Sequence, residues 1–185
     1  MRGEKWVEAA VYAIDEPPNC IKEFKATPKD PEQEDRPSAF LTFELGCSRC
    51  GAGEFQLTAF PLVAPDPSPY YGVSPGETLQ RPPHRLECSS CGHSSVLFDL
   101  RRHGYDGVLG HGSGYETGGE GEEEVPLPEG PFSIEVTFGF SIEMDELREI
   151  AEEAGISPSD LFDWITITGK PANDGIEFEL DYECA

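Results

Sequence analysis

Hydrophobic and polar positions alternate most strictly over residues 132–140. Five apolar side chains fall there on one face: Phe132, Ile134, Val136, Phe138 and Phe140. Because successive side chains of an extended chain point to opposite sides, this repeat predicts a half-buried strand. The same alternation over residues 176–182 predicts the closing strand. Shorter apolar stretches predict further strands at residues 40–45, 55–62, 85–87 and 95–100.

Between the last two strands the pattern becomes helical. Over residues 143–154 the apolar side chains recur every three or four positions, Ser141 is a candidate cap, and Gly155 is expected to end the helix. The segment Ser157-Pro158-Ser159-Asp160 predicts the start of a second short helix that runs through Trp164. The predicted fold class is therefore α+β, mainly antiparallel β, with two short C-terminal helices.

The remaining segments define the expected organisation of the chain. Residues 5–14 and 21–26 are compatible with strands, and residues 27–37 are polar and punctuated by proline. Residues 61–83 contain seven prolines, which predicts a semi-extended excursion. We expect a β-rich region at 1–101, a glycine- and glutamate-rich loop at 102–130, and a region at 131–185 packed on the same body. The predicted core is Leu41, Phe43, Leu57, Leu97, Ile134, Val136, Phe138, Leu147, Ile150, Trp164, Phe178 and Leu180.

Two matching motifs carry the clearest chemistry. The sequence reads Cys47-Ser48-Arg49-Cys50-Gly51 and, later, Cys88-Ser89-Ser90-Cys91-Gly92. Two intervening residues let both sulfurs of a motif turn toward one ion, and the glycine accepts the left-handed backbone that follows. Four thiolates complete the coordination shell of Zn²⁺, so the motifs predict one structural zinc ion per chain with no open position for substrate.

The paired motifs, each between predicted strands, resemble zinc ribbons and rubredoxin-type zinc knuckles. The resemblance covers about residues 40–60 and 85–100, and it implies Cys47, Cys50, Cys88 and Cys91 as the metal ligands. Zinc ribbons serve in transcription, ribosomes, chaperones and enzymes, so the resemblance implies no single activity. Four thiolates suit iron as well as zinc, and the choice between them stays open, with zinc as the expected occupant.

Charge is the second informative feature. The formal net charge is −23, and residues 115–185 contain 20 acidic residues against two basic ones, Arg148 and Lys170. Such a balance argues against nucleic acid and anionic membranes as partners and favours a basic protein. The plain alternative is a solvated acidic surface that only keeps the protein soluble. A nucleic-acid-associated zinc ribbon is a further alternative, because some basic residues lie near the two motifs: Arg49, Arg81, Arg85, Arg101 and Arg102.

The histidines support a different hypothesis. All four lie between residues 84 and 111, and His103, Asp106 and His111 could form a second, open metal site for hydrolysis. No spacing among them matches a defined hydrolase motif, so they are weak catalytic candidates.

The N-terminal residues and the cysteine spacing predict the cellular compartment. The N-terminal residues lack the apolar run of a signal peptide, and paired Cys-x-x-Cys motifs in a reduced compartment favour metal binding, so a cytoplasmic location is expected. Cys20 and Cys184 are left over and are expected to be free thiols. The leading hypothesis is a zinc-stabilised, non-enzymatic adaptor or inhibitor that docks a basic protein, in an oligomeric state that the sequence does not indicate.

Overall fold

Antiparallel strands make up most of the regular structure. The computed structural model describes residues 16–29, 39–70, 72–111, 117–128, 130–140, 144–173 and 175–184, so the strand predicted at residues 5–14 and the cap at Ser141 lie outside it. The strands are β1 (Phe24–Lys29), β2 (Ala39–Cys47), β3 (Glu54–Val63), β4 (Thr78–Cys88), β5 (Ser94–Phe98), β6 (Val125–Pro126), β7 (Phe132–Phe140), β8 (Trp164–Pro171) and β9 (Phe178–Glu183). The helices are α1 (Gly104–Val108) and α2 (Met144–Ala154), with single 3-10 turns at Asn19–Ile21 and Pro158–Asp160.

The described strands form one sheet that curls into a half-barrel, and β7 lies at its centre. One edge of β7 pairs with β8 from Phe132 to Gly139, and β9 continues the sheet beyond β8. The other edge pairs first with β2 and then with β3. β1 extends the sheet from β2, whereas β4 and β5 extend it from β3.

The core fills the inside of the curl. The alternation predicted for β7 is confirmed, since all five of its apolar side chains are buried. Phe138 contacts Phe43 and Phe162, with ring centroids 6.1 Å and 4.9 Å away. Helix α2 adds Leu147 and Ala151 to the same cluster. Most of the predicted core is buried there, but Trp164 lies half-exposed on the opposite face of the sheet.

The predicted α+β fold class was wrong, because the regular structure is mostly antiparallel sheet and contains little helix. Within the described residues the C-terminal region has one α-helix, α2, and the second predicted helix is only the 3-10 turn Pro158–Asp160. The chain leaves this turn extended, because residues 164–168 (WITIT) are β-branched at four of five positions and favour a strand. That strand is β8, and the protein is mostly antiparallel sheet.

The proline-rich segment was also partly mispredicted. Its ends belong to β3 and β4, which pair from Phe55↔Cys88 to Val63↔Thr78. Proline lacks an N–H group but its carbonyl still accepts, as Pro82 O does from Gly118 N at 2.7 Å. In the parts of the chain that the structure describes, no helix has the length and apolar character needed to cross a bilayer.

Candidate metal centre

The first cysteine motif interrupts a strand instead of closing a hairpin. β2 and β3 run in the same direction along one edge of β7, and the register moves from Glu44↔Glu135 to Glu54↔Ser133 across the motif. The intervening residues therefore bulge out of the sheet. Within this bulge Cys47 N donates to Ala52 O at 2.7 Å, and Gly51 N donates to Cys47 O at 2.8 Å. Gly51 has φ 77°, the left-handed conformation that its position in the motif predicted.

The second motif is the tip of the β4–β5 hairpin. Its backbone repeats the pattern of the first, since Gly92 N donates to Cys88 O at 2.8 Å and Gly92 has φ 69°. Pairing of β3 with β4 places Cys88 directly opposite Phe55, and Ser89 N donates to Glu54 O at 3.0 Å. The start of β3 therefore holds the hairpin tip against the bulge that precedes it.

This arrangement brings four sulfurs together from distant parts of the chain. The Sγ atoms of Cys47, Cys50, Cys88 and Cys91 all lie within 4.8 Å of one another. The Cys47–Cys91 and Cys50–Cys88 Sγ–Sγ distances are both 3.6 Å. A tetrahedral ion bound at about 2.3 Å from each sulfur requires Sγ–Sγ distances of about 3.8 Å. The four-cysteine cluster therefore fits one tetrahedral ion such as zinc.

The electrostatics of the cluster also favour a cation. Burial raises the pKa of the Cys47 thiol, but hydrogen bonds from the backbone N–H groups of Cys50 and Arg49 and from two neighbouring thiols together outweigh it and bring that pKa to about 7. At Cys91 the backbone N–H of His93 lowers the pKa, while partial desolvation of the sulfur and the three neighbouring sulfurs raise it to about 12. Four ionised thiolates at these distances repel one another unless a cation lies between them, which is the condition that a bound metal supplies.

The coordination chemistry points to a structural role. Cys47 and Cys88 are buried at the ends of strands, whereas Cys50 and Cys91 are exposed. All four donors come from the protein, which is the closed arrangement of structural zinc sites, and catalytic sites keep one position for water or substrate. A metal here would join the bulge between β2 and β3 to the β4–β5 hairpin.

No family model, curated protein or solved structure matches the chain. The likeness to a zinc ribbon therefore rests on the geometry of the four cysteines alone.

The histidine candidates are not gathered into a comparable site. Among the described residues, the four cysteines are the one group of three or more potential ligands close enough to share an ion. His103 precedes α1 and uses Nδ1 to accept from Asp99 N at 3.0 Å. Burial lowers the pKa of His103 to about 4. His111 is exposed, and its backbone N donates to the backbone O of Asp106 at 2.7 Å. The Nδ1 of His103 is therefore occupied by a backbone hydrogen bond.

Sequence reasoning missed a buried polar pair. His84 is fully buried, and its Nε2 lies 2.6 Å from Tyr182 Oη, which in turn donates to Gln80 O at 2.5 Å. The pair joins β4 to β9 across the interior of the curled sheet. The alternation Pro82, His84, Leu86, Cys88 on the inward face of β4 was the signal that could have found it.

Proposed function

We propose that the protein is a zinc-stabilised, non-enzymatic binding module. It binds a basic segment of another protein on the outer face of β7, β8 and β9. The outer sheet face is defined by Glu135, Thr137, Trp164, Thr166, Thr168, Glu179, Asp181 and Glu183. The closed cysteine cluster supports a non-enzymatic role, because it leaves no metal position for substrate.

The observation that carries the proposal is the row of carboxylates on β9. Glu179, Asp181 and Glu183 are all exposed, and the side chains between them face the core. Their partners on β8 are Thr168, Thr166 and Trp164, in that order. Because directly paired residues share a face, the carboxylates stand beside hydroxyls and one indole along the whole of β9.

The aromatic end of this face suits a cation. Trp164 is half-exposed, and it lies beside Phe40 with ring centroids 6.0 Å apart. Its indole covers Gly139, where an added Cβ would lie 2.2 Å from the indole Nε1. An indole next to a carboxylate offers a lysine or arginine side chain both a cation–π contact and an ion pair.

A metal at the four-cysteine cluster would help to keep the sheet rigid, because β7 pairs with β2 before the first motif and with β3 after it. Cys47 ends β2 opposite Phe24 of β1, while Cys88 ends β4. An ion on both cysteines would couple the β1–β2 side of the sheet to the β3–β5 side. A rigid sheet presents its carboxylates at fixed spacing, which reduces the entropy lost when a partner binds.

The test uses a synthetic peptide that alternates arginine and serine, with Trp164 fluorescence as the reporter in a Trp6→Phe background. The sheet-face variant carries Glu179→Gln, Asp181→Asn and Glu183→Gln. A matched control carries Glu146→Gln, Glu149→Gln and Glu152→Gln on α2, which changes the net charge equally at exposed positions.

We expect the sheet-face variant to weaken peptide binding by more than about tenfold at moderate salt and the control by less than about twofold. Equal weakening in both variants would mean that the peptide senses only net charge. Binding that is unchanged in the sheet-face variant would contradict the proposed docking face.

A further inference from the structure

A second charged surface lies on the outer side of β3 and β4, and the chain itself covers it. The arginine strip consists of Arg81, Arg85 and Arg101. The strap consists of residues 117–124, which precede β6. Each of the three arginines contacts the strap, so three of the 13 basic residues of this acidic protein lie under one of its acidic segments.

The contacts combine backbone and side-chain groups. Arg81 donates through Nη2 to Glu122 at 2.9 Å and through Nη1 to Thr117 O at 3.3 Å. Arg85 Nε lies 3.4 Å from Glu124 Oε1. Arg101 Nη2 donates to Gly118 O at 2.5 Å.

The strap lies close against an aromatic ring. Gly118 sits over Phe60, where an added Cβ would fall 2.0 Å from Phe60 Cγ. Phe60 is paired with Arg81 across the β3–β4 ladder, so the ring and a guanidinium group are neighbours on the same surface. The Arg81 side chain is only 11% exposed beneath the strap.

The ion pairs of the strap are suited to exchange. Glu122 and Glu124 remain 43% and 32% exposed, and ion pairs this open to water contribute little to stability. Guanidinium groups beside an aromatic ring are the elements that bind single-stranded nucleic acid, through phosphate contacts and base stacking. The strap carboxylates bind these guanidinium groups by the same charge-assisted contacts that a phosphate makes with arginine.

We propose that the arginine strip, together with Phe60, is a binding surface for single-stranded nucleic acid and that the strap is its built-in competitor. This surface is separate from the outer face of β7, β8 and β9, and the proposal does not depend on the docking function. Displacing Glu122 and Glu124 would free Nη2 of Arg81 and Nε of Arg85, and lifting Gly118 would uncover the ring. Salt screens the repulsion between the nucleic acid and acidic side chains that lie farther away than the Debye length, which is about 8 Å at physiological ionic strength. The overall negative charge of the protein therefore opposes binding mainly through the nearby carboxylates.

The experiment measures fluorescence anisotropy of a labelled oligothymidylate of about twelve nucleotides, a length within the site sizes of single-strand binding domains. The released variant carries Glu122→Gln and Glu124→Gln. The matched control carries Glu120→Gln and Glu123→Gln, exposed residues of the same strap that remove the same charge. Arg85→Gln and Arg101→Gln are then added to the released variant, and thermal unfolding verifies that each protein is folded.

We expect the released variant to bind about tenfold more tightly than the unmodified protein and the control to change by less than about twofold. The added arginine substitutions should return binding to the starting level and reduce the slope of log K against log salt, by about 0.7 for each phosphate that is no longer neutralised. Equal tightening in the control, or no binding by the released variant at low salt, would overturn the proposal. Tightening that persists after both arginines are replaced would overturn it as well.

Discussion

The buried histidine of β4 should make stability depend on pH in a defined direction. Burial lowers the pKa of His84 from 6.5 to about 4, although the nearby Thr58 backbone carbonyl partly opposes this shift. Its Nδ1 has no hydrogen-bond partner among the described residues, so a second proton lacks a well-aligned acceptor. The unfolded chain binds that proton below pH 6.5 and the folded protein only below about 4. Stability from this group is therefore complete above pH 6.5 and is lost progressively as pH falls toward 4.

The size of the effect follows from the two pKa values. Between pH 7 and pH 5, the difference in proton binding lowers the free energy of unfolding by about 2 kcal/mol. Urea denaturation at both pH values measures it, and His84→Phe removes the titrating group while keeping an aromatic ring beside Tyr182 and Phe98. Acid release of a bound metal and the lowered pKa of His103 affect both proteins equally. The contribution of His84 is therefore the loss of unfolding free energy between pH 7 and pH 5 in the unmodified protein minus the same loss in the variant. His84→Gln is a second variant for the same subtraction. Equal decreases between pH 7 and pH 5 in the unmodified protein and both variants would refute the assignment.

Two further predictions concern the contacts of the C-terminus and the cysteines. Gly104→Ala should destabilise the protein by about 2 kcal/mol more than Gly110→Ala in urea denaturation, because an added Cβ at Gly104 would lie 2.4 Å from Cys184 Cβ whereas one at Gly110 would meet no described atom within 4 Å. Both glycines have positive φ, so the comparison removes the backbone cost, and equal destabilisation would exclude the clash. Alkylation at pH 8 should leave Cys20 and Cys184 unmodified in the folded protein, since burial raises the pKa of both thiols. A chelator should make only the cysteines of the four-cysteine cluster reactive toward the alkylating reagent, and rapid labelling of Cys184 would contradict its burial.

Periodicity predicted the strands whose two faces differ. The alternation of β7 and of β9 was strong because one side of each strand faces the core and the other faces water. The cysteine motifs predicted the cluster for another reason. The Cys-x-x-Cys spacing lets both sulfurs of a motif point toward one ion, so the local backbone conformation is restricted by the sequence itself. The prediction that two distant motifs share one site is confirmed by the sulfur positions.

The features that the sequence did not predict depend on contacts between residues that are far apart in the chain. β8 was not predicted, because the helix expected from Pro158 was extended as far as Trp164, the first residue of this strand. The strand is stabilised by pairing on both edges, with β7 and β9, which no local pattern shows. No local pattern shows that β2 and β3 continue along one edge of β7 around the first motif. The glycine-rich segment was predicted to be a loop or linker, and its contacts with Arg81 and Phe60 depend on a packing that composition cannot indicate.

Metal content per chain tests the central claim most directly. The protein purified from zinc-supplemented medium should contain one zinc ion per chain, and Cys88→Ser should reduce the content to nearly zero and lower the melting temperature, while Cys184→Ser leaves the content unchanged. A metal content that does not respond to Cys88→Ser, or a protein that binds no metal with its four sulfurs reduced, would contradict the four-cysteine centre.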